Sequence, residues 1–367
     1  MRLALVLCLA CAGCDLLFQL DHVPLPGDGA VGGSDGSGGG SDVPNLVFVT
    51  SQKVAPASLG GVAAGDALCN SLAHAAGHPE HYVAWLSSSA ASATARIGTT
   101  ARGWVRADGK PFADTLVDIA QDRVWYPLRL TESGDDVTSS GLDSDLVVAT
   151  GTDQNGAASI NTCDDYTNPA KGIESGLADD SPYGWGWYMG DGCNMPARLY
   201  CFGVDHSAPV ALTPESTRHA FVSVNDLTSG GGVAGFDADC ASEAAMAQLP
   251  GTYHAAVATT SQPALGRFTT GVPWVRADGV TVIDANGALV APIELNAGGG
   301  IEGSTVAWCG ASSLITKAPG SAASCFDWTR TDTTQGLTGN ITRSGTEAFG
   351  GIPNNCNIAI RVYCLQD

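Results

Sequence analysis

His74, His78 and His81 fall within eight residues, with Glu80 between them, and side chains of these types could do metal or acid–base chemistry. His74 and His78 have the i, i+4 spacing that lets two imidazoles share a metal on one helix face. Pro79 breaks a helix at that point, so His81 points elsewhere, and the expectation is exposed helix-end histidines and no metal site. Aspartates come in clusters: Asp135-Asp136, Asp143, Asp145, Asp164-Asp165 and Asp179-Asp180. Oxygen ligands of this kind suit a hard cation, but the simpler expectation is solvated acidic loops. Ser34 lies in a G-x-S-x-G match, Gly32 to Gly36, without the strand and helix that a nucleophile elbow needs. No Ser-His-Asp, Cys-His or HExxH arrangement has a credible context. The expectation is a protein without catalytic residues or cofactor. Cys309, beside Trp308, has no histidine near it and reads as a free, buried, inert thiol.

Aromatic residues give the more specific signal. Tyr183-Gly184-Trp185-Gly186-Trp187-Tyr188 spaces rings with glycines just before Cys193. Such a loop can turn several rings to one side as a stacking platform for sugar rings or peptides. Tyr183, Trp185, Trp187 and Tyr188 are therefore the candidate ligand-binding residues, with Trp185 or Trp187 expected at the surface.

The elements that must position these residues occur twice. WVRADG stands at Trp104 to Gly109 and again at Trp274 to Gly279. The same landmarks surround each copy: an apolar run (Leu46 to Val49, Ala220 to Val222), a Gly-Gly (Gly60-Gly61, Gly231-Gly232), Cys69 or Cys240, then Tyr82 or Tyr253. Each copy closes on Cys-x7-Cys, Cys193 to Cys201 and Cys356 to Cys364. A duplication of this length predicts two similar domains, residues 45–204 and 218–367, joined by a connector over 205–217 that contains Pro209 and Pro214. In each, an opening strand leads to a helix carrying the first cysteine, predicted over Ala63 to Ala76 and Asp237 to Leu249. A short strand follows at Tyr82 to Leu86 and Tyr253 to Ala258. The closing strand ends in cysteine, at Ala197 to Phe202 and Ile358 to Cys364. The fold class is α+β. Arg106 and Arg276, inside the repeated hexapeptide, read as structural. The second copy has Ala245, Leu249 and Thr252 where the first has its histidines, and no tryptophan in Ala348 to Ile352, opposite the aromatic loop.

The chain has 367 residues and a formal net charge of −20, with 37 acidic against 17 basic side chains. That charge excludes nucleic acid and polyanions as main partners. The N-terminus explains location. Arg2 and the apolar stretch Leu3 to Ala12 read as a signal peptide, too short to span a bilayer. Ala12-Gly13-Cys14 resembles the lipobox of bacterial lipoproteins, with Cys11 where a leucine is usual. The resemblance implies processing of residues 1–14, acylation of Cys14 and an extracytoplasmic protein held by its lipid at the outer membrane or cell surface. Residues 15–44, rich in Gly, Ser and Asp, cannot bury enough to fold and read as a flexible tether reaching ~30 Å.

Four similarly placed cysteines per repeat in an exported chain imply disulfides, and spacing alone leaves three pairings open in each. The cysteine-bearing helix, the YxAWLSS strand, the Trp-Asp-Gly stretch, the NGxxSxxxC loop (Asn155 to Cys163) and the terminal LYC or VYC together resemble endostatin, a domain of C-type-lectin-like fold. They equally resemble bacterial lipoproteins that carry that domain. The resemblance implies nested pairing: Cys69–Cys201 with Cys163–Cys193, and Cys240–Cys364 with Cys325–Cys356. The Glu-Pro-Asn, Gln-Pro-Asp and Trp-Asn-Asp signatures of calcium-dependent sugar binding are missing; the nearest tripeptide is Asn168-Pro169-Ala170. The zinc and heparin sites of endostatin have no matching residues. The expected function is a lipid-anchored binding or adhesion protein with a glycan or protein ligand. The competing readings are a glycan-active hydrolase and a structural envelope protein.

Overall fold

The computed structural model describes residues 43–154, 156–180, 182–303 and 305–367. The signal peptide, Cys14 and nearly all of the tether lie outside the described residues. In repeat 1, Val- and Phe-rich β1 (Asn45–Val49) precedes α1 (Val62–Ala75), which stops just before Gly77 and Pro79. Then come β2 (Tyr82–Ala84), α2 (Ala93–Ile97), β3 (Trp104–Val105), β4 (Pro111–Ala113) and α3 (Leu116–Ala120). Strands β5 (Val147–Ala149), β6 (Gly172–Leu177), β7 (Met189–Gly192) and β8 (Tyr200–Gly203) complete it. Repeat 2 follows the same order through β9 (Arg218–Val222), α4 (Gly232–Met246), β10 (Tyr253–Ala255), β11 (Trp274–Val275) and β12 (Thr281–Ile283). It ends with β13 (Val306–Trp308), β14 (Gln335–Asn340), β15 (Ile352–Asn355) and β16 (Arg361–Gln366). The helix of repeat 2 starts before its predicted Asp237 because Phe236, fully packed in the core, carries the glycine-rich lead-in with it.

In repeat 1 the main sheet runs β2-β8-β1-β3-β4, with β1 antiparallel to β8 and parallel to β3; β5-β6-β7 form a separate antiparallel sheet. In repeat 2 the matching two sheets merge, because β13 pairs with β16 in parallel; in repeat 1 that contact is the single bridge between Val148 and Arg198. The fold is α+β, as its alternation of periods predicts.

The repeated hexapeptide is a hairpin with its own lock. Trp104 and Trp274 are fully buried, and Asp-Gly makes the turn with Gly109 and Gly279 at φ of 78° and 89°. Arg106 and Arg276 fold back onto Asp108 and Asp278 and donate to the carbonyls of Pro127 and Pro292. Both arginines are buried and structural. A second lock joins helix to strand: Arg96 grips Asp66 at 2.6 Å and donates to the carbonyls of Ala84 and Leu86, while Arg267 grips Asp237 and the Ala255 carbonyl. The disulfides are Cys69–Cys201, Cys163–Cys193, Cys240–Cys364 and Cys325–Cys356, a nested pair in each repeat. Cys309 is a buried free thiol, and burial pushes its pKa well up.

Each inner disulfide begins in a left-handed turn. Cys163 to Tyr166 have φ of 58°, 50°, 54° and 66°, and Cys325 to Trp328 have 48°, 58°, 53° and 67°. Left-handed backbone costs a residue with a Cβ about 1–2 kcal/mol. Polar contacts offset that cost. Asp165 accepts from the Ser89 N–H and hydroxyl, and Asp327 from those of Thr260. The Tyr166 hydroxyl donates to the Ser87 carbonyl at 2.8 Å, and the Trp328 indole donates to the equivalent Ala258 carbonyl at 2.9 Å.

Residues 205–217 contain no helix or strand. The two repeats belong to one compact unit spanning Gly40–Asp367. Their seam is polar and buried. Asp180 and Arg343 form an antiparallel bridge. They are equivalent residues, as Trp185 and Ala348 show by each giving its carbonyl to the tyrosine of the closing strand, Tyr200 or Tyr363. Equivalent residues facing each other antiparallel define a local two-fold relation. Arg343, buried at 2% exposure, donates to Asp179 at 2.7 Å and also reaches Asp143 and Glu347. Arg129 donates to the carbonyls of Leu289 and Ser344. Tyr126 of repeat 1 is buried in the core of repeat 2, its hydroxyl accepting from the Thr281 N–H.

Candidate functional site

The aromatic loop of repeat 1 folds back onto the sheet and closes one side of a crevice. Gly176 on β6 makes this possible: a Cβ there would lie 1.8 Å from the Trp185 carbonyl oxygen, so only glycine lets the loop come down so close. Trp185 consequently points inward, 4% exposed, against Trp85 and Phe112 at 5.1 Å and Tyr200 at 5.3 Å. This corrects its reading as a platform residue, because its burial is that of a core side chain. Tyr188 is half-buried against the same core. Trp187 is half-buried and Tyr183 is exposed at 37%; these two rings form the rim.

Opposite the loop, Thr152, Asp153 and Gln154 supply a polar wall, and Ile119 an apolar corner. Trp85 forms the floor. Its ring is buried, yet among the described residues its indole Nε1 has no hydrogen-bond partner. The Nε1–Cζ2 edge of that ring faces two glycines that line the crevice. A Cβ on Gly186 would sit 3.9 Å from Nε1, and one on Gly156 would sit 4.0 Å from Cζ2. The crevice as a whole encloses about 10 Å³, room for one water. Sequence reasoning missed Trp85 as a site residue. The available signal was a difference: repeat 2 has Ala256 at the matching place in an otherwise similar strand, where the Ala256 N–H donates to Tyr363 as that of Trp85 does to Tyr200.

The surroundings are acidic. Glu174, on β6 beside Ser159 and Asn161, is buried, and burial followed by the neighbouring charges of Asp153 and Asp191 raises its pKa. In repeat 2 the loop opposite carries Ala348 and Phe349, both buried, and Phe349 lines a hollow of about 250 Å³ with Leu289, Leu314 and Ile315. Repeat 2 has instead an open groove of about 340 Å³ beside α4, with exposed Met246 and Val224 on its lip.

The histidines are not brought together. His74 is exposed, His78 lies past the helix end with Nε2 3.1 Å from the Glu132 carbonyl, and His81 pairs with Asp205. Among the described residues no group of three His, Cys, Asp or Glu could hold a metal ion. The aspartates are mostly at work within the fold rather than solvated. Asp136 holds Arg129, Asp145 holds Lys53, Asp165 holds Ser89, and Asp179 and Asp180 are buried in the seam. That corrects the expectation of solvated acidic loops for these residues: partners, not water, satisfy them. Among the described residues no helix is long and apolar enough to cross a membrane.

No protein-family model matches the chain, and no curated protein matches it significantly.

Proposed function

We propose that this protein is a lipid-anchored extracytoplasmic binding protein without catalytic activity, whose two repeats are endostatin-like domains of C-type-lectin-like fold. Its ligand meets the rim of the repeat 1 crevice. The observation that carries this reading is the crevice itself: half-exposed rings at the rim, a polar wall, and a buried indole N–H at the floor with no acceptor among the described residues. An unpaired buried donor is costly and rare in native proteins. The signal sequence, the lipobox at Cys14 and the tether present such a site away from a membrane surface, and the four disulfides suit a protein folded outside the cytoplasm.

Whole-cell fractionation with a Cys14→Ser variant tests the anchor: the variant should leave the membrane fraction, and unchanged retention would overturn it. Glycan and peptide arrays probed with residues 43–367 test the site. Binding should fall at least tenfold in Trp187→Ala and be unchanged in Met246→Ala, which alters the repeat 2 groove. The reverse pattern would move the site to repeat 2, and turnover of an arrayed glycan would replace binding by hydrolysis.

A further inference from the structure

We infer that the crevice recognises a neutral, hydroxyl-bearing ring, a sugar without acidic groups, by seating one hydroxyl on the Trp85 indole N–H while the ring rests against Trp187 and Tyr183. This rests on the binding reading above.

Four observations lead to it. First, the floor offers a donor. Trp85 Nε1 is buried and has no partner among the described residues, so the incoming group must present an acceptor. A cationic ammonium has none and would face the positive edge of the indole. Second, the enclosed space is small. About 10 Å³ takes one oxygen in place of one water, not a ring or a carboxylate with its flanking atoms. Third, the wall can receive what a hydroxyl gives. Asp153 and Gln154 line the crevice beside the floor; Asp153 already takes the Ala157 N–H at 2.9 Å, and the exposed Gln154 carries a side-chain oxygen that accepts hydrogen bonds. A hydroxyl both accepts and donates, so it satisfies floor and wall together. A peptide carbonyl accepts only. Fourth, the charge excludes anions. Asp153 lines the crevice, Glu174 and Asp191 lie near it, and the chain carries −20 overall.

The rings at the rim then do what their exposure allows. Trp187 is half-buried and lines the crevice, so part of its ring surface remains free there. Tyr183 adds a second, more exposed ring. Sugar rings carry C–H faces that pack on aromatic planes, with little side-chain freedom left to lose. Gly186 and Gly156 keep the approach open, because any side chain there would stand over the indole edge. Repeat 2, with Ala256 in the Trp85 position, cannot make this contact, so the inference is confined to repeat 1.

The test follows indole N–H resonances of residues 43–367 while four probes are added: neutral glucose, galactose and mannose oligosaccharides; a galacturonic acid oligosaccharide; a glucosamine oligosaccharide; and an uncharged Gly-Ser-Ala peptide. Trp85→Phe identifies the Trp85 signal by its loss. A neutral oligosaccharide should shift that signal and the acid should not. Gly186→Ala should weaken binding at least tenfold while keeping the native near-UV circular dichroism, since its methyl makes an ordinary 3.9 Å contact. Trp85→Phe should do the same by removing the donor and keeping a ring. If the acid, the amine or the peptide shifts the Trp85 signal and the neutral sugars do not, the ligand class is wrong and the site stands. If a probe binds without moving Trp85 or depending on Trp187, the site itself is wrong. If no probe binds, both fall.

Discussion

Position for position, repeat 1 places Trp85, Phe112, Trp185 and Phe202 where repeat 2 has Ala256, Val282, Ala348 and Leu365. On the helix side the exchange reverses: Gly65, Ala149 and Tyr166 in repeat 1 face Phe236, Trp308 and Trp328 in repeat 2. All the larger members of these sets are buried. The polar locks and the nested disulfides are the same in both. The lesson is that this frame is held by its arginine–aspartate locks and bridges, while bulk moves from one side of the sheet to the other with total volume roughly kept. Repeat 1, which gathers its aromatics near β6 and β7, has the ring-lined crevice, whereas repeat 2 has its groove beside α4. The seam differs in the same productive way. Arg129 stands opposite Glu294 in the alignment, and Asp180 opposite Arg343. Two identical copies meeting about the same axis would set like charges together at the bridge; the divergent pair sets Asp180 against Arg343.

The largest expected effects test whether the relocated bulk is core in both repeats. Trp185→Ala and Trp308→Ala should each cost about 4 kcal/mol in chemical denaturation. A cost under about 1 kcal/mol for Trp185→Ala would return that ring to the surface and break the comparison. Next comes the seam. Arg343→Met leaves Asp179 buried without its partner and should cost about 3 kcal/mol, most of which the double variant Arg343→Met, Asp179→Leu should recover. Additive losses in a double-mutant cycle would show that the two residues do not form the pair described.

A smaller effect has an instructive sign. Gly65→Ala lies in the middle of α1, where alanine is favoured by about 1 kcal/mol. Its Cβ would meet Leu86 Cδ1 at 2.6 Å in a packed core, so the net effect should be a loss of about 1 kcal/mol or more. A gain in thermal stability would mean that repeat 1 has room for the bulk that repeat 2 carries at Phe236.

The smallest effect compares the left-handed turns. The Ser89 hydroxyl and N–H hold the Asp165 carboxyl below the usual range. Burial opposes the same shift at Asp327, but the Thr260 N–H and hydroxyl outweigh it. A depressed folded pKa stabilises above the unfolded value of ~3.9 and stops doing so as pH falls through the folded value. Asp165→Asn and Asp327→Asn should therefore each lose about 1 kcal/mol at neutral pH and lose less than the wild type on acidification below about pH 4. Unequal slopes for the two variants would show that the turns are not equivalent.

Much of this frame was legible because it is local or covalent. The Asp-Gly turn, the helix stop at Gly77 and Pro79, and the cysteine-bearing closing strands follow from residue type and spacing. The merging of β13 with β16 in repeat 2 was not, since a parallel contact between distant short strands leaves no pattern in either. Nor were the left-handed turns, where Asp164, Asp165, Phe326 and Asp327 are not residues that announce positive φ in a run. The site was half legible. Gly-spaced rings marked the loop, but which ring turns inward depends on Gly176, which lies on β6 outside the loop and directly beneath the Trp185 backbone.

Cys309 gives the frame an asymmetry of a different kind, in how safely each repeat can be assembled. Thr150 occupies its place in repeat 1, where its hydroxyl donates to the Gly186 carbonyl at 2.8 Å. While unfolded, repeat 1 has four thiols to sort into two bridges, and repeat 2 has five. Every mistaken bridge through Cys309 strands one of the correct partners, and only a thiol–disulfide exchange can release it. Once native, the thiol is sealed from solvent and its pKa is raised, so it takes no part in such exchange. Repeat 2 is therefore the half of the molecule whose yield should track the supply of a disulfide isomerase, and a Cys309→Thr variant should free it from that dependence.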